Sequence, residues 1–130
     1  MTIILDNYTI AKTGPIEMVV KFHLNITAEE AQRRVDRWLL EHVSMLLGAE
    51  EPTLVVGKQT VWRVPAAISF PSLGRVGVVG TVCVDVESGE MKELDKCKAE
   101  IERYLEEEIK PKLPPYKMRH RIVPRYTYSQ

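Results

Sequence analysis

Three histidines, two cysteines and one short run of carboxylates are the side chains in this chain whose types could do chemistry. His23 falls on the polar side of an alternating segment, His42 beside the apolar stripe of a helical pattern, and His120 near the C-terminus. A zinc site needs several nitrogen and sulfur ligands at short recurrent spacings, and none of the three has a second His, Cys or carboxylate so placed. Asp85, Glu87 and Glu90 offer oxygens to a hard cation, but their spacing is not that of a calcium-binding loop, and they read as a turn with solvated carboxylates. Cys83 and Cys97 form no C-x-x-C pair and have no neighbouring basic residue in sequence to hold a thiolate, so both read as small inert side chains. Gly74, Gly77 and Gly80 recur at every third position, which is not the G-x-G-x-x-G spacing of a phosphate loop. With no nucleophile elbow and no paired-carboxylate site either, the sequence predicts no catalytic residue, no metal and no cofactor.

Cys83, the three carboxylates and the three glycines hang on a strand hairpin spanning residues 59–91. Before its turn the even positions are Trp62, Val64, Ala66, Ile68 and Phe70. After it they are Val76, Val78, Gly80, Val82, Val84 and Val86. Side chains alternate faces along a strand, so the even positions form one dry face and the odd positions, Arg63, Ser69, Arg75, Thr81 and Asp85 among them, a mixed one. Pairing even with even around a five-residue loop, 71–75, sets Phe70 against Val76, Ile68 against Val78, Val64 against Val82 and Trp62 against Val84. Ala66 then meets Gly80, leaving a shallow spot where a helix can lie close. On the mixed face Ala67 opposes Val79, Pro65 opposes Thr81 and Arg63 opposes Cys83. That face is less polar than a free surface should be, and a cover is expected there, from the C-terminal helix or a second subunit. Pro65 has no N–H to give a ladder, which places its strand at an edge.

The remaining elements are read from periodicity. Residues 1–11 read as an edge strand or a loose arm. Residues 16–26 alternate, with Ile16, Met18, Val20, Phe22, Leu24 and Ile26 on one side, and predict a half-buried strand. Thr27 and Glu30 form a capping box, and a helix is expected from Ala28 to about Leu47, stopped at Gly48. Its stripe is Ala31, Val35, Trp38, Leu39, Val43 and Leu46. Arg33, Arg34 and Arg37 could bind phosphate. Their spacing from Glu29, Glu30 and Glu41 predicts ion pairs on a solvated face instead. Thr53–Val56 is a short strand followed by a two-residue turn at Gly57-Lys58. A second helix is expected from about Glu90 to Ile109, stopped by Pro111. The fold class is α+β: β-α-β-β-β-α order, an antiparallel sheet of three to four strands, a long helix on one face and a C-terminal helix. Residues 1–110 form one domain, and 111–130 an extended, Pro-containing basic tail.

The chain has 130 residues, 45% apolar and 28% charged, which is ordinary for one globular domain. No apolar run is long enough to span a bilayer, the first residues lack a signal-peptide pattern, and two cysteines make no disulfide framework, so a cytoplasmic protein is expected. The formal net charge is zero but unevenly placed: residues 85–108 hold 4 basic and 10 acidic side chains, and residues 109–130 hold 6 basic and none acidic. In that tail Lys110, Lys112, Lys117, Arg119, Arg121 and Arg125 interleave with Tyr116, Tyr126 and Tyr128. Such a segment can contact nucleic acid, but the nearest negative surface is the protein's own preceding helix, so self-pairing, or pairing across a dimer, is favoured over nucleic acid.

Residues 27–91 resemble a PepSY-like domain. Three stretches carry the resemblance: Thr27-Ala28-Glu29-Glu30-Ala31 opening a helix, then Trp62-Arg63-Val64-Pro65, then Val82-Cys83-Val84-Asp85-Val86-Glu87-Ser88-Gly89-Glu90 ending a strand. The resemblance implies a small regulatory or inhibitory binding module of a kind often extracytoplasmic and associated with peptidases. This chain departs from that pattern in showing no export signal and in adding a strand before and a helix after.

Two functions from different classes are therefore expected. The first is a non-enzymatic binding or regulatory module acting through a sheet face or the tail, as a homo-oligomer or with a protein partner and without membrane association. Its surface would include Arg63, Val79, Thr81, Cys83, Tyr116, Arg119, Arg121 and Arg125. The second is a ligand pocket or enzyme with a cavity between helix and sheet, walled by Trp38 and Trp62.

Overall fold

The structure is a computed structural model that describes residues 2–5, 13–15 and 19–113. It is α+β: a mixed five-stranded sheet with two helices. The elements are β1 (Thr2–Leu5), α1 (Ala28–His42), β2 (Leu47–Ala49), β3 (Thr53–Val56), β4 (Val61–Phe70), β5 (Gly74–Asp85) and α2 (Leu94–Tyr104). A π-helical turn (Leu105–Ile109) and a 3-10 turn (Lys110–Lys112) prolong α2.

β4 is the centre of the sheet. One side pairs along its whole length with β5. The other side pairs with β3 at Val61, Trp62 and Arg63 and with β2 at Ala66, Ala67 and Ile68. β1 lies beyond β3 and runs parallel to it, so the sheet is not purely antiparallel. The chain between those parallel strands includes α1, the kind of crossover a parallel pair requires. Pro65 is thus in a central strand, at the break between β3 and β2. Its carbonyl accepts from Glu50 N at 2.9 Å. In an antiparallel strand a residue's N–H and C=O point the same way, so the missing donor of Pro65 faces this break and costs no ladder bond with β5.

The hairpin keeps the expected register from Val61/Asp85 through Ala66/Gly80 and then shifts twice. Ala67 opposes Val78 and Ile68 opposes Gly77, which leaves Val79 as an extra residue. Ser69 opposes Arg75 and Phe70 opposes Gly74, which leaves Val76 as another. The connecting loop is therefore three residues, 71–73, and Gly74 takes a φ of 75° that favours glycine. Each bulge reverses the parity of the residues beyond it. Val79 turns inward and is buried, while Val76 and Val78, expected on the dry face, are exposed.

Both helices pack on the even face. Ala31, Val35, Trp38 and Leu39 of α1 and Ile101, Leu105 and Ile109 of the second helical stretch share one core with Trp62, Val64, Ala66, Ile68, Val82 and Val84. The C-terminal helix therefore lies over the dry face of β5 and does not cover the mixed face. Val82 is fully buried, as expected, but β5 lies under α2.

Three local expectations change. Residues 19–26 are not a strand, and residues 16–18 lie outside the described ones. Asn25 N donates to Val86 O at 2.8 Å, whereas His23 N finds only the Glu87 carboxylate, so no ladder forms there among the described residues. Phe22 and Ile26 still turn toward the core, and Leu24 is exposed. α1 stops at His42, short of Gly48. Buried Ser44 takes the Leu46 N–H on its Oγ, which turns the chain, and Asp36 accepts from Ala49 N, which docks β2 against the helix. α2 starts at Leu94 because Glu90, Met91 and Lys92 instead line the outer edge of β5 at Cys83, Val84 and Asp85. The β3–β4 connection is four residues, 57–60.

Candidate interaction surface

Neither helix lies on the sheet face away from the core cluster. By register that face carries Ile4, Val55 and Val61 toward β1, Arg63 and Cys83 in the middle, and Pro65, Ala67 and Val78 toward the hairpin tip. Val55 and Ala67 are buried but lie outside the helix-side core cluster. Arg63 is flanked on this face by Thr53 and Cys83. Near the tip, Arg75 and Glu50 form a two-pronged ion pair, Nε to Oε2 at 2.6 Å and a terminal nitrogen to Oε1 at 2.9 Å. Arg75 sits opposite Ser69 and Glu50 beside Pro65, so this pair spans β4 on the open face. It holds the Glu50 carboxyl below its ordinary range.

The expected surface residues separate into three groups. Arg63, Thr81 and Cys83 are on the open side, Arg63 and Cys83 half-buried and paired, Thr81 exposed. Val79 is in the core because of the bulge and presents no surface. Tyr116, Arg119, Arg121 and Arg125 lie outside the described residues.

Asp85 is the best-held carboxylate. Its Oδ1 accepts from Glu87 N at 2.8 Å and Ser88 N at 2.9 Å, and its Oδ2 from Gln59 at 3.1 Å. The Ser88 amide first, then that of Glu87, Lys92 and Gln59, hold its pKa below the ordinary carboxylate range. It organises the turn to Gly89, whose φ of 76° favours glycine and against which the Arg34 guanidinium packs. Burial pushes both thiols up, Cys83 against the opposing charge of Arg63, so neither is a nucleophile at neutral pH.

The α1 arginines do not pair as expected. Glu30 closes the capping box with Thr27, and Arg34 donates instead to Gly89 O at 2.8 Å. Among the described residues no ion pair joins Arg33, Arg34 or Arg37 to Glu29, Glu30 or Glu41. His42 lies 6.4 Å from Trp38, ring to ring, at the helix boundary. Trp62 is packed into the core with its indole N–H on the Ile26 carbonyl at 2.8 Å, and Trp38 is in the same core. No group of three or more His, Cys, Asp or Glu is placed to hold a metal among the described residues. No helix of the described residues is long and apolar enough to cross a membrane.

No family model matches this chain, and neither a curated protein nor a solved structure matches it at significance. The fold and surface rest on the chain's own geometry.

The residues that sequence reasoning missed are those set by long-range geometry: Glu50 with Arg75, and Asp85 with Gln59. The carboxylate followed by Glu87-Ser88-Gly89 was a visible turn signal, but which backbone amides it would hold was not.

Proposed function

We propose that the protein is a non-enzymatic binding module that works through the open face of its sheet, with a second copy of itself as the occupant. One observation carries this reading: both helices pack on the even face, so neither covers the opposite face, where Ile4 and Val78 are exposed and Val61 and Pro65 half-buried. An antiparallel sheet can keep one face in water, but that face is then normally polar. Here its charges are few among the described residues. Arg63 lies in the middle, the hydrogen-bonded Asp85 carboxylate stands opposite Val61 at one end, and the Arg75–Glu50 pair neutralises itself at the other. A self-complementary, near-neutral, flat apolar face suits isologous sheet-on-sheet packing. A PepSY-like regulatory role belongs to the same class of function, with the partner then a peptidase in place of a second copy.

Sedimentation of the full chain tests the reading. A dimer at micromolar concentration is expected, converted to monomer by Val61→Lys with an unchanged melting temperature. A wild-type monomer at hundreds of micromolar overturns it.

A further inference from the structure

We propose that residues 114–130 of the same chain bind along the free edge of β5, as an added strand whose basic side meets the glutamates of the second helix.

The edge is a built feature. β5 pairs with β4 on one side only. On its other side the short stretch 90–92 occupies Cys83, Val84 and Asp85, and the backbone from Gly74 to Val82 has no partner there among the described residues. From Val76 to Val84 this edge holds no charged residue and no proline, the usual guards of an open strand edge. Val76 and Val78 are 43% and 42% exposed. Beside the edge lies a groove of about 400 Å³ between Val78, Thr81, Arg103, Tyr104, Glu107 and Glu108.

The occupant is argued from charge, pattern and reach. Residues 114–130 carry Lys117, Arg119, Arg121 and Arg125 and no acidic residue, while the helix wall of the groove offers Glu100, Glu107 and Glu108. From 116 to 122 the basic residues take the odd positions, and Tyr116, Met118, His120 and Ile122 take the even ones. That alternation puts one basic and one largely apolar side on a strand. With the basic side on the glutamates, Tyr116, Met118 and Ile122 lie next to Val78 and extend the open face.

The chain leaves from the right place. α2 starts beside Cys83, where Lys92 N donates to the Cys83 carbonyl, and Ile101 reaches Gly80. The helical stretch thus runs back along β5, and Leu113 at its end is buried in the core. A chain leaving there can return parallel to β5. Strand, helix and strand are the parts of a parallel crossover unit, which needs about a dozen residues in the connection. An eight-residue strand spans about 26 Å, well within the reach of the 17 residues beyond Leu113. Ion pairs at a surface are individually weak, so the backbone ladder and the apolar side supply most of the hold, and the charges select the segment.

Amide hydrogen exchange of the full chain tests this. Residues 76–81 should exchange at least tenfold more slowly in the wild type than in Lys117→Glu/Arg119→Glu/Arg121→Glu, independently of protein concentration. Adding Glu100→Lys/Glu107→Lys/Glu108→Lys to that variant should restore protection. Equal exchange at 76–81 in wild type and triple variant overturns the proposal. So does protection that grows with protein concentration and ignores the tail charges, which would place a second copy on this edge.

Discussion

Ile101 occupies the space that a side chain at Gly80 would need: a Cβ built on Gly80 would lie 2.5 Å from Ile101 Cγ1. Gly80 pairs with Ala66, so two small residues of the dry face lie side by side where α2 packs. Gly80→Val is expected to destabilise the protein by about 1–3 kcal/mol through overpacking. Ile101→Ala should be less harmful in that background than in the wild type, which a double-mutant cycle by denaturant unfolding would show. Gly77, with nothing within 4 Å of its Cβ position, is the control: Gly77→Ala should leave stability within about 0.5–1 kcal/mol of wild type.

Asp85 sets an acid limb. Its carboxyl is more acidic folded than unfolded, because the Ser88 and Glu87 amides hold its charged form. The resulting stability is fully present above the unfolded value of about 3.9 and is lost as pH falls through the lower folded value. Asp85→Asn should cost about 1 kcal/mol at neutral pH and flatten the loss of stability between about pH 5 and pH 2. Thermal melts across that range check it. An unchanged acid limb in the variant would assign it to other carboxylates.

Thiol labelling reads the open face directly. Both cysteines should alkylate slowly at pH 7, faster only above the ordinary thiol range of about 8.5. Arg63 opposes the burial effect at Cys83, so Arg63→Met should slow labelling of Cys83 further and leave Cys97 unchanged. Mass spectrometry of the labelled peptides separates the two sites.

Thr27 begins α1 with its side chain accepting the Glu30 N–H at 3.1 Å. Thr27→Ala should cost about 1 kcal/mol in denaturant unfolding, and Thr27→Ser much less.

Much of the fold could be read from residue types. Trp62, Val64, Ala66, Ile68 and Phe70 alternate so plainly that the dry face of β4 and half of the hairpin register came from parity, as did the close approach of a helix at Ala66 and Gly80. The other half was hidden because Val76, Val78 and Val79 are the same residue type. A bulge that exchanges one valine for another leaves no mark in the pattern. The alternation at 16–26 misled for a different reason. Phe22 and Ile26 do face the core, but a strand also needs a neighbour with free backbone groups, and that is a property of the assembled sheet. The position of α2 was equally non-local: its stripe specifies that it packs, not on which side of the sheet. Of the surface, the Arg63–Cys83 pairing was legible from register, whereas the Arg75–Glu50 pair joins residues 25 apart in sequence across β4.

That pair lies beyond both of the extra residues in β5. Twelve residues of β5 lie along ten of β4, so the hairpin is a ladder with one rail longer than the other. Such a ladder curves within its own plane, with the longer rail on the outside. Its tip is therefore carried across β4 toward the side of β2, and there Arg75 meets Glu50. The curvature is stored in the strand and not in the three-residue loop. Removing Val76 and Val79 together would straighten the hairpin and separate that ion pair without changing a single residue of the turn.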